Sequence, residues 1–181
     1  VVLAGKRYPQ IATILKEMNC RHLLVESTRM TVSTYNSLKG VLKNISISTD
    51  TTLDTIINSI RSIKTRNEVE SIIKAQRIAE NAFEHILKFI KVGVTEKEIA
   101  LELDFYMLRN GGEGLSFETI AVSGANSSMP HGVPSNKKIE NGDFITLDFG
   151  TIINGYHSDM TRTIAMGFAT DEMKNVYDTV L

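Results

Sequence analysis

The chain has 181 residues, 42% of them hydrophobic, and its 20 Lys and Arg against 21 Asp and Glu leave a net charge of −1. That composition excludes disorder, and the balanced charge provides no clustered basic surface for nucleic acid or an anionic membrane. One cysteine and four scattered histidines exclude an internal disulfide and a zinc-finger spacing, and no apolar run approaches the roughly 18 residues that span a bilayer.

Residues 9–18 (PQIATILKEM) place Ile11, Ile14, Leu15 and Met18 on one helical face, with Pro9 suited to the first turn. Short strands are predicted at His22–Glu26 and Ile45–Ser48, with a helix through Tyr35, Leu38, Val41 and Leu42 between them, as in an α/β layer. Leu53, Ile56, Ile57, Ile60 and Ile63 recur at helical spacing, and the polar stretch Lys64-Thr65-Arg66-Asn67 then breaks the pattern. A domain boundary is expected there, giving domains 1–63 and 64–181.

From Glu68 to Lys91 one long helix is predicted, with the apolar stripe from Val69 to Ile90 as its core face and Val92-Gly93 as its end. Thr95 and Glu98 form a capping-box pattern that opens a second helix, stopped by Gly111-Gly112. Phe117–Val122 reads as a strand and GANSSMPHGVPSNKK as a long loop. Asp143–Ile153 and Tyr156–Met166 read as a strand pair. The chain begins on Val1 and ends at Val180-Leu181 just after a helix-like DEMKNVYDTVL, so a piece of a longer protein is expected.

Asn154-Gly155 between two alternating runs is a strong hairpin signal, because both turn positions of a type I′ turn need positive φ. The turn sets a register in which Ile153 faces Tyr156, Gly150 faces Asp159 and Asp148 faces Thr161. Side chains alternate along a strand, so Thr146, Asp148, Asp159, Thr161 and Thr163 share a polar face while Ile145, Leu147, Phe149, Met160 and Ile164 share an apolar one. Asp148 and Asp159 become diagonal neighbours about 7–8 Å apart at the backbone, with Gly150 expected to leave open space between them and no Lys or Arg on that face.

Like charges that close repel, raise one pKa, or attract a cation, and hard carboxylate oxygens suit divalent ions. From spacing alone, a solvated polar face explains the same residues equally well. Two aspartates do not complete a site for an ion that takes four to six ligands. The other candidates in the chain are His131, His157, Glu113, Glu118 and Glu140, none of which has a partner at ligand spacing on a helix or strand.

Residues 116–167 carry SF-x-TI, SG-x-N-x-x-x-PH, NGD, D-x-G and GY-x-SD-x-TRT in that order. This run resembles the first half of the pita-bread metallopeptidases of the Xaa-Pro dipeptidase and aminopeptidase P type. The likeness extends more weakly through the two preceding helices, and residues 1–63 resemble the last part of the family's creatinase-like N-terminal α/β domain. The fold implied is therefore α/β (α+β): the end of that domain, then two helices, antiparallel strands and a β-hairpin.

The resemblance implies that Asp148 and Asp159 ligate a pair of divalent metals (Mn, Co or Zn), with Asp159 bridging. One His and two Glu from the second half of the fold would complete the set. Those residues would lie beyond Leu181, so the chain by itself is expected to hold metal weakly or not at all and to be inactive. His131, in MPHG, matches a substrate-contacting histidine and is the catalytic candidate. Arg162 and Tyr156 match motif positions too; the register puts Arg162 on the apolar face, so it is assigned a structural role as an anchor for a neighbouring loop or carboxylate rather than a catalytic one. His22, His85 and His157 are not taken as ligands.

The implied activity of the whole protein is hydrolysis of Xaa-Pro bonds in a peptide substrate with proline second, by a cytoplasmic homodimer with no nucleic-acid or membrane partner. The alternatives are a non-catalytic pita-bread module that binds protein, or another pita-bread hydrolase such as a methionine aminopeptidase or creatinase. Retention of both aspartates counts against the binding module and creatinase, and SDMTRT where methionine aminopeptidases carry a GDTS-like run counts against those.

Overall fold

A computed structural model describes residues 6–180. The chain divides into two compact units, with the break between Lys64 and Thr65.

In the N-terminal unit the order is α1 (Arg7–Glu17), β1 (His22–Leu24), α2 (Val32–Val41), β2 (Ser46–Ser48) and α3 (Thr52–Ser62). The strands pair in parallel, His22 with Ser46 and Leu24 with Ser48, as a strand-helix-strand crossover requires. Thr31 caps α2 by accepting a hydrogen bond from the Thr34 amide. Asp54, in the first turn of α3, accepts from the amides and hydroxyls of both Ser27 and Thr28. Among the described residues of this unit few large apolar side chains are buried: Val25, Leu38 and Leu42. The α3 face predicted from its spacing exists, but Ile56, Ile60 and Ile63 are exposed.

The C-terminal unit is a helix layer on an antiparallel sheet. Its helices are α4 (Arg66–Phe89), α5 (Glu96–Arg109) and, after the sheet, α6 (Asp171–Val180). The sheet has the order β3 (Ile120–Ser123), β4 (Phe144–Phe149), β7 (Met160–Ala165). Between β4 and β7 the chain makes a two-stranded ribbon, β5 (Ile152–Ile153) with β6 (Tyr156–His157).

The Thr95–Glu98 capping box at the start of α5 forms as predicted. A second one, Thr65 with Glu68, opens α4 in the stretch that reads only as a break in hydrophobic periodicity. Ala79, Ala82 and Ile86 of α4 and Ile99, Leu103 and Met107 of α5 pack in one cluster with Ala121, Ile145, Leu147, Phe149 and Met160 of the sheet. Full burial of each larger apolar side chain contributes about 1.5–3 kcal/mol, so this cluster dominates the unit's stability.

The phase of α4 differs from the sequence expectation. Its buried stripe is Ser71, Ala75, Ala79, Ala82 and Ile86, while Val69, Ile73 and Leu87 are exposed. Small residues let the helix approach the core closely, and that contact, rather than the largest apolar side chains, decides which face turns inward.

Candidate metal centre

The hairpin that carries the two aspartates has the register its turn dictates. Ile153 faces Tyr156 and Ile152 faces His157 in the ribbon, and Asp148 faces Thr161 and Phe149 faces Met160 in the sheet. Asn154 and Gly155 both have positive φ, 52° and 75°, as a type I′ turn requires. The tip is docked on α4. The Tyr156 hydroxyl donates to the Glu68 carboxylate, and the Asn154 amide donates to the Ser71 hydroxyl at 3.2 Å.

Gly150 has a different role from the one its position suggests. It is buried, and a Cβ there would lie 2.0 Å from the Ser158 carbonyl oxygen, so backbone already fills the space expected to be open. At this point ladder pairing gives way to a cross-bond in which the Thr151 amide donates to the Ser158 hydroxyl at 3.0 Å and the Ser158 amide to the Thr151 carbonyl at 2.9 Å. Glycine is needed because two backbones meet.

Asp148 and Asp159 line the same cleft, of about 460 Å³, together with His131 and Glu118. Burial, and after it the facing charge of Asp159, raise the Asp148 carboxyl above its ordinary pKa. The Thr161 hydroxyl, donating to Asp148 Oδ1 at 2.9 Å, and nearby His131 pull the other way. Asp148 is half-buried and Asp159 exposed. Two hard oxygen donors that face one cleft, with Asp148 made costlier to ionise by burial and by the charge of Asp159, fit a divalent cation, which offsets that cost. The fit is partial, since among the described residues no three His, Cys, Asp or Glu converge to hold a metal.

The remaining candidates do not fill the gap. His157 is exposed on β6 outside the cleft lining, Glu113 sits where its amide donates to the Ile152 carbonyl, and the Glu140 amide donates to Asp143. Glu118 reaches the cleft wall as an exposed side chain. His85 is engaged between α4 and α5, its ring stacked on Tyr106 at 4.5 Å and its Nε2 2.6 Å from Glu102. Arg162 does face Leu147, but it is exposed and its guanidinium donates to the Thr161 carbonyl at 2.7 Å. Among the described residues it pairs with no carboxylate, so the anchoring role expected for it is not seen.

Sequence reasoning passed over Glu96. Its side chain is fully buried and holds the loop between β3 and β4 through Ser123, Asn126 and Ser135. The one available signal was its place as the residue after a capping Thr, where a first-turn acid is ordinary.

The family model for metallopeptidase family M24 matches residues 70–181. An Xaa-Pro dipeptidase of Pyrococcus furiosus is 36% identical over 180 residues, covering 99% of this chain and 50% of that protein. The solved structure of an Xaa-Pro dipeptidase from Bacillus anthracis superposes with a TM-score of 0.91 at 42% identity, over 98% of this chain and 49% of that one. An X-Pro aminopeptidase from Thermotoga maritima gives 0.87 at 32% identity, over 99% and 50%. The chain thus spans about half the length of the relatives it matches and shares the fold of that half. With the family model covering the two-helix layer, the sheet and both aspartates, the chain belongs to metallopeptidase family M24.

Proposed function

We propose that the intact protein is a metal-dependent exopeptidase that hydrolyses Xaa-Pro bonds, with Asp148 and Asp159 as metal ligands. The observation that carries this reading is the convergence of both carboxylates and His131 on one cleft. The relatives' names support the substrate class, one being an Xaa-Pro dipeptidase and another an X-Pro aminopeptidase. The remaining ligands come from sequence outside the 181 residues, in keeping with relatives about twice as long.

Asp148 and Asp159 would hold divalent ions, which would supply Lewis acidity toward a peptide carbonyl and lower the pKa of a nearby water. His131, exposed at the cleft, donates a hydrogen bond to the carbonyl oxygen as negative charge develops on it. Phe117, Ile120, Val133 and Pro134 give the cleft an apolar wall against which a pyrrolidine ring can lie. Mn, Co and Zn all suit such ligands, and a cytoplasmic homodimer completes the reading.

The test is an assay of the purified intact protein on Xaa-Pro dipeptides and on longer peptides with proline second, with and without chelator, beside Asp159→Ala. Hydrolysis lost to both treatments is expected. Hydrolysis indifferent to both rules out the metal role, and cleavage confined to one peptide class assigns dipeptidase or aminopeptidase.

A further inference from the structure

We propose that Glu96 is a positioning residue: it fixes His131 in the cleft by latching both ends of the loop that carries it. The kinetic consequence rests on the peptidase reading, whereas the latch itself does not.

The loop leaves β3 at Ser123, makes a 3-10 turn at Gly124–Ser128, passes His131 and returns past Ser135 toward α5. Glu96 Oε1 accepts from the Ser123 amide at 2.7 Å, the Ser123 hydroxyl at 3.1 Å and the Asn126 side-chain amide at 3.1 Å. Its Oε2 accepts from the Ser135 amide at 3.0 Å and the Ser135 hydroxyl at 2.6 Å. The first turn of α5 adds its own free donors, the Glu96 amide to the Lys137 carbonyl at 3.0 Å and the Lys97 amide to the Ser135 carbonyl at 3.1 Å. One carboxylate therefore ties the residue that leaves the sheet to the residue that comes back, on either side of His131.

Glu96 is 0% exposed, and the peptidase chemistry does not use it. Burial pushes its carboxyl up, but the hydrogen bonds from Ser135, Ser123 and Asn126 outweigh burial and hold it below its ordinary range. Every partner is a donor, so only an ionised carboxylate satisfies both ends. Glutamine has one acceptor oxygen, and its NH2 would face an amide N–H that cannot turn away, at Ser123 or at Ser135. Such a substitution keeps the side chain's shape and releases one end of the loop. A histidine displaced by about 1 Å from the reacting atoms can cost on the order of a hundredfold in rate.

The experiment compares E96Q, H131Q, the double variant and Ile86→Val in the intact protein. Ile86 is a buried α4 residue that makes none of the hydrogen bonds of the latch, so its truncation is a control for simple loss of stability. Two readouts need no activity: the His131 imidazole proton signal, assigned by its loss in H131Q, and hydrogen exchange at the Ser135 amide. In E96Q the signal is expected to shift and broaden and Ser135 to exchange at least about tenfold faster, with neither change in Ile86→Val. In the kinetic arm, E96Q is expected to lower kcat for an Xaa-Pro dipeptide by about tenfold or more with KM little changed, and to add nothing in the H131Q background.

An unchanged His131 signal and unchanged Ser135 exchange in E96Q overturn the proposal, as does the same response in Ile86→Val or fully multiplicative kinetics in the double variant. Should E96Q fail to fold, Ser135→Ala removes one bond of the latch and takes its place with the same readouts and criteria. An inactive wild type sinks the peptidase reading alone, and the spectroscopic arm still decides the latch.

Discussion

In the N-terminal unit Asp54, in the first turn of α3, gathers the amides and hydroxyls of Ser27 and Thr28, and in the C-terminal unit Glu96, in the first turn of α5, gathers Ser123, Asn126 and Ser135. The device is the same, yet the surroundings are not. Behind Glu96 stands a continuous apolar cluster of two helices and a sheet, whereas the unit around Asp54 buries Val25, Leu38 and Leu42 and leaves Ile56, Ile60 and Ile63 exposed. A carboxylate latch on a well-packed unit is free to serve fine placement of a loop. On a thinly packed unit the same latch carries a larger share of what holds the fold together.

The sharpest test of this contrast separates chemistry from stability. Asp159→Ala in the intact protein should lower Xaa-Pro hydrolysis on the order of a thousandfold, by removing several kcal/mol of metal-derived stabilisation, while thermal unfolding measured on metal-free protein hardly changes. A comparable fall in Tm would mean that the aspartate belongs to the packing and not to the site.

Next come paired truncations, one in each unit. Ile86→Ala should cost about 3–5 kcal/mol in urea unfolding and Leu38→Ala about 2–3, because the site with fewer neighbours loses fewer contacts and collapses more easily. Equal costs would break the comparison.

Acid should find the thinner unit. The hydrogen bond from the Thr28 hydroxyl is the main cause that lowers Asp54 to a pKa of about 2, from 3.8. A depressed carboxyl stabilises the fold fully above its unfolded value and loses that contribution as pH falls through the folded one. Wild type should therefore exceed Asp54→Asn in urea midpoint at pH 5, with the gap closing between about pH 4 and pH 2. A gap independent of pH would show that charge is not what Ser27 and Thr28 recognise.

The smallest effect runs in the opposite direction. Asp148 is raised by burial and by Asp159, so in metal-free protein its ionisation opposes folding at neutral pH, and the opposition is relieved as pH falls through the raised value. Asp148→Asn should accordingly raise the Tm of metal-free protein slightly at pH 7 and abolish any further gain on adding Mn²⁺. A lower Tm would place Asp148 among the stabilising residues.

What could be read from the sequence follows from how local each determinant is. Asn154-Gly155 fixes φ at two adjacent residues, and alternation then carries the register outward to Asp148 and Thr161 without reference to the rest of the molecule. Thr95 and Glu98 are three residues apart and were equally legible. The phase of α4 was not, since Ser71, Ala75 and Ala79 lie inside only because the sheet comes close, and periodicity weighs Val69 and Ile73 above them. Gly150 was misread for the same reason: its neighbour is the backbone of Ser158, from the other arm of the hairpin, and no local rule reports that approach. Glu96 looked like any first-turn acid until its distant partners were seen.

The docked ribbon between Phe149 and Met160 also restricts how this segment can change length. Surface turns commonly gain or lose single residues with little harm. Here one added residue would carry Asp159 to the apolar side of the sheet and shift Tyr156 off Glu68, so length variation should come in steps of two or not at all. The tip thus acts as a ruler between two carboxylates, and a library of one- and two-residue insertions after Gly155, scored for divalent-cation uptake, would read its graduations.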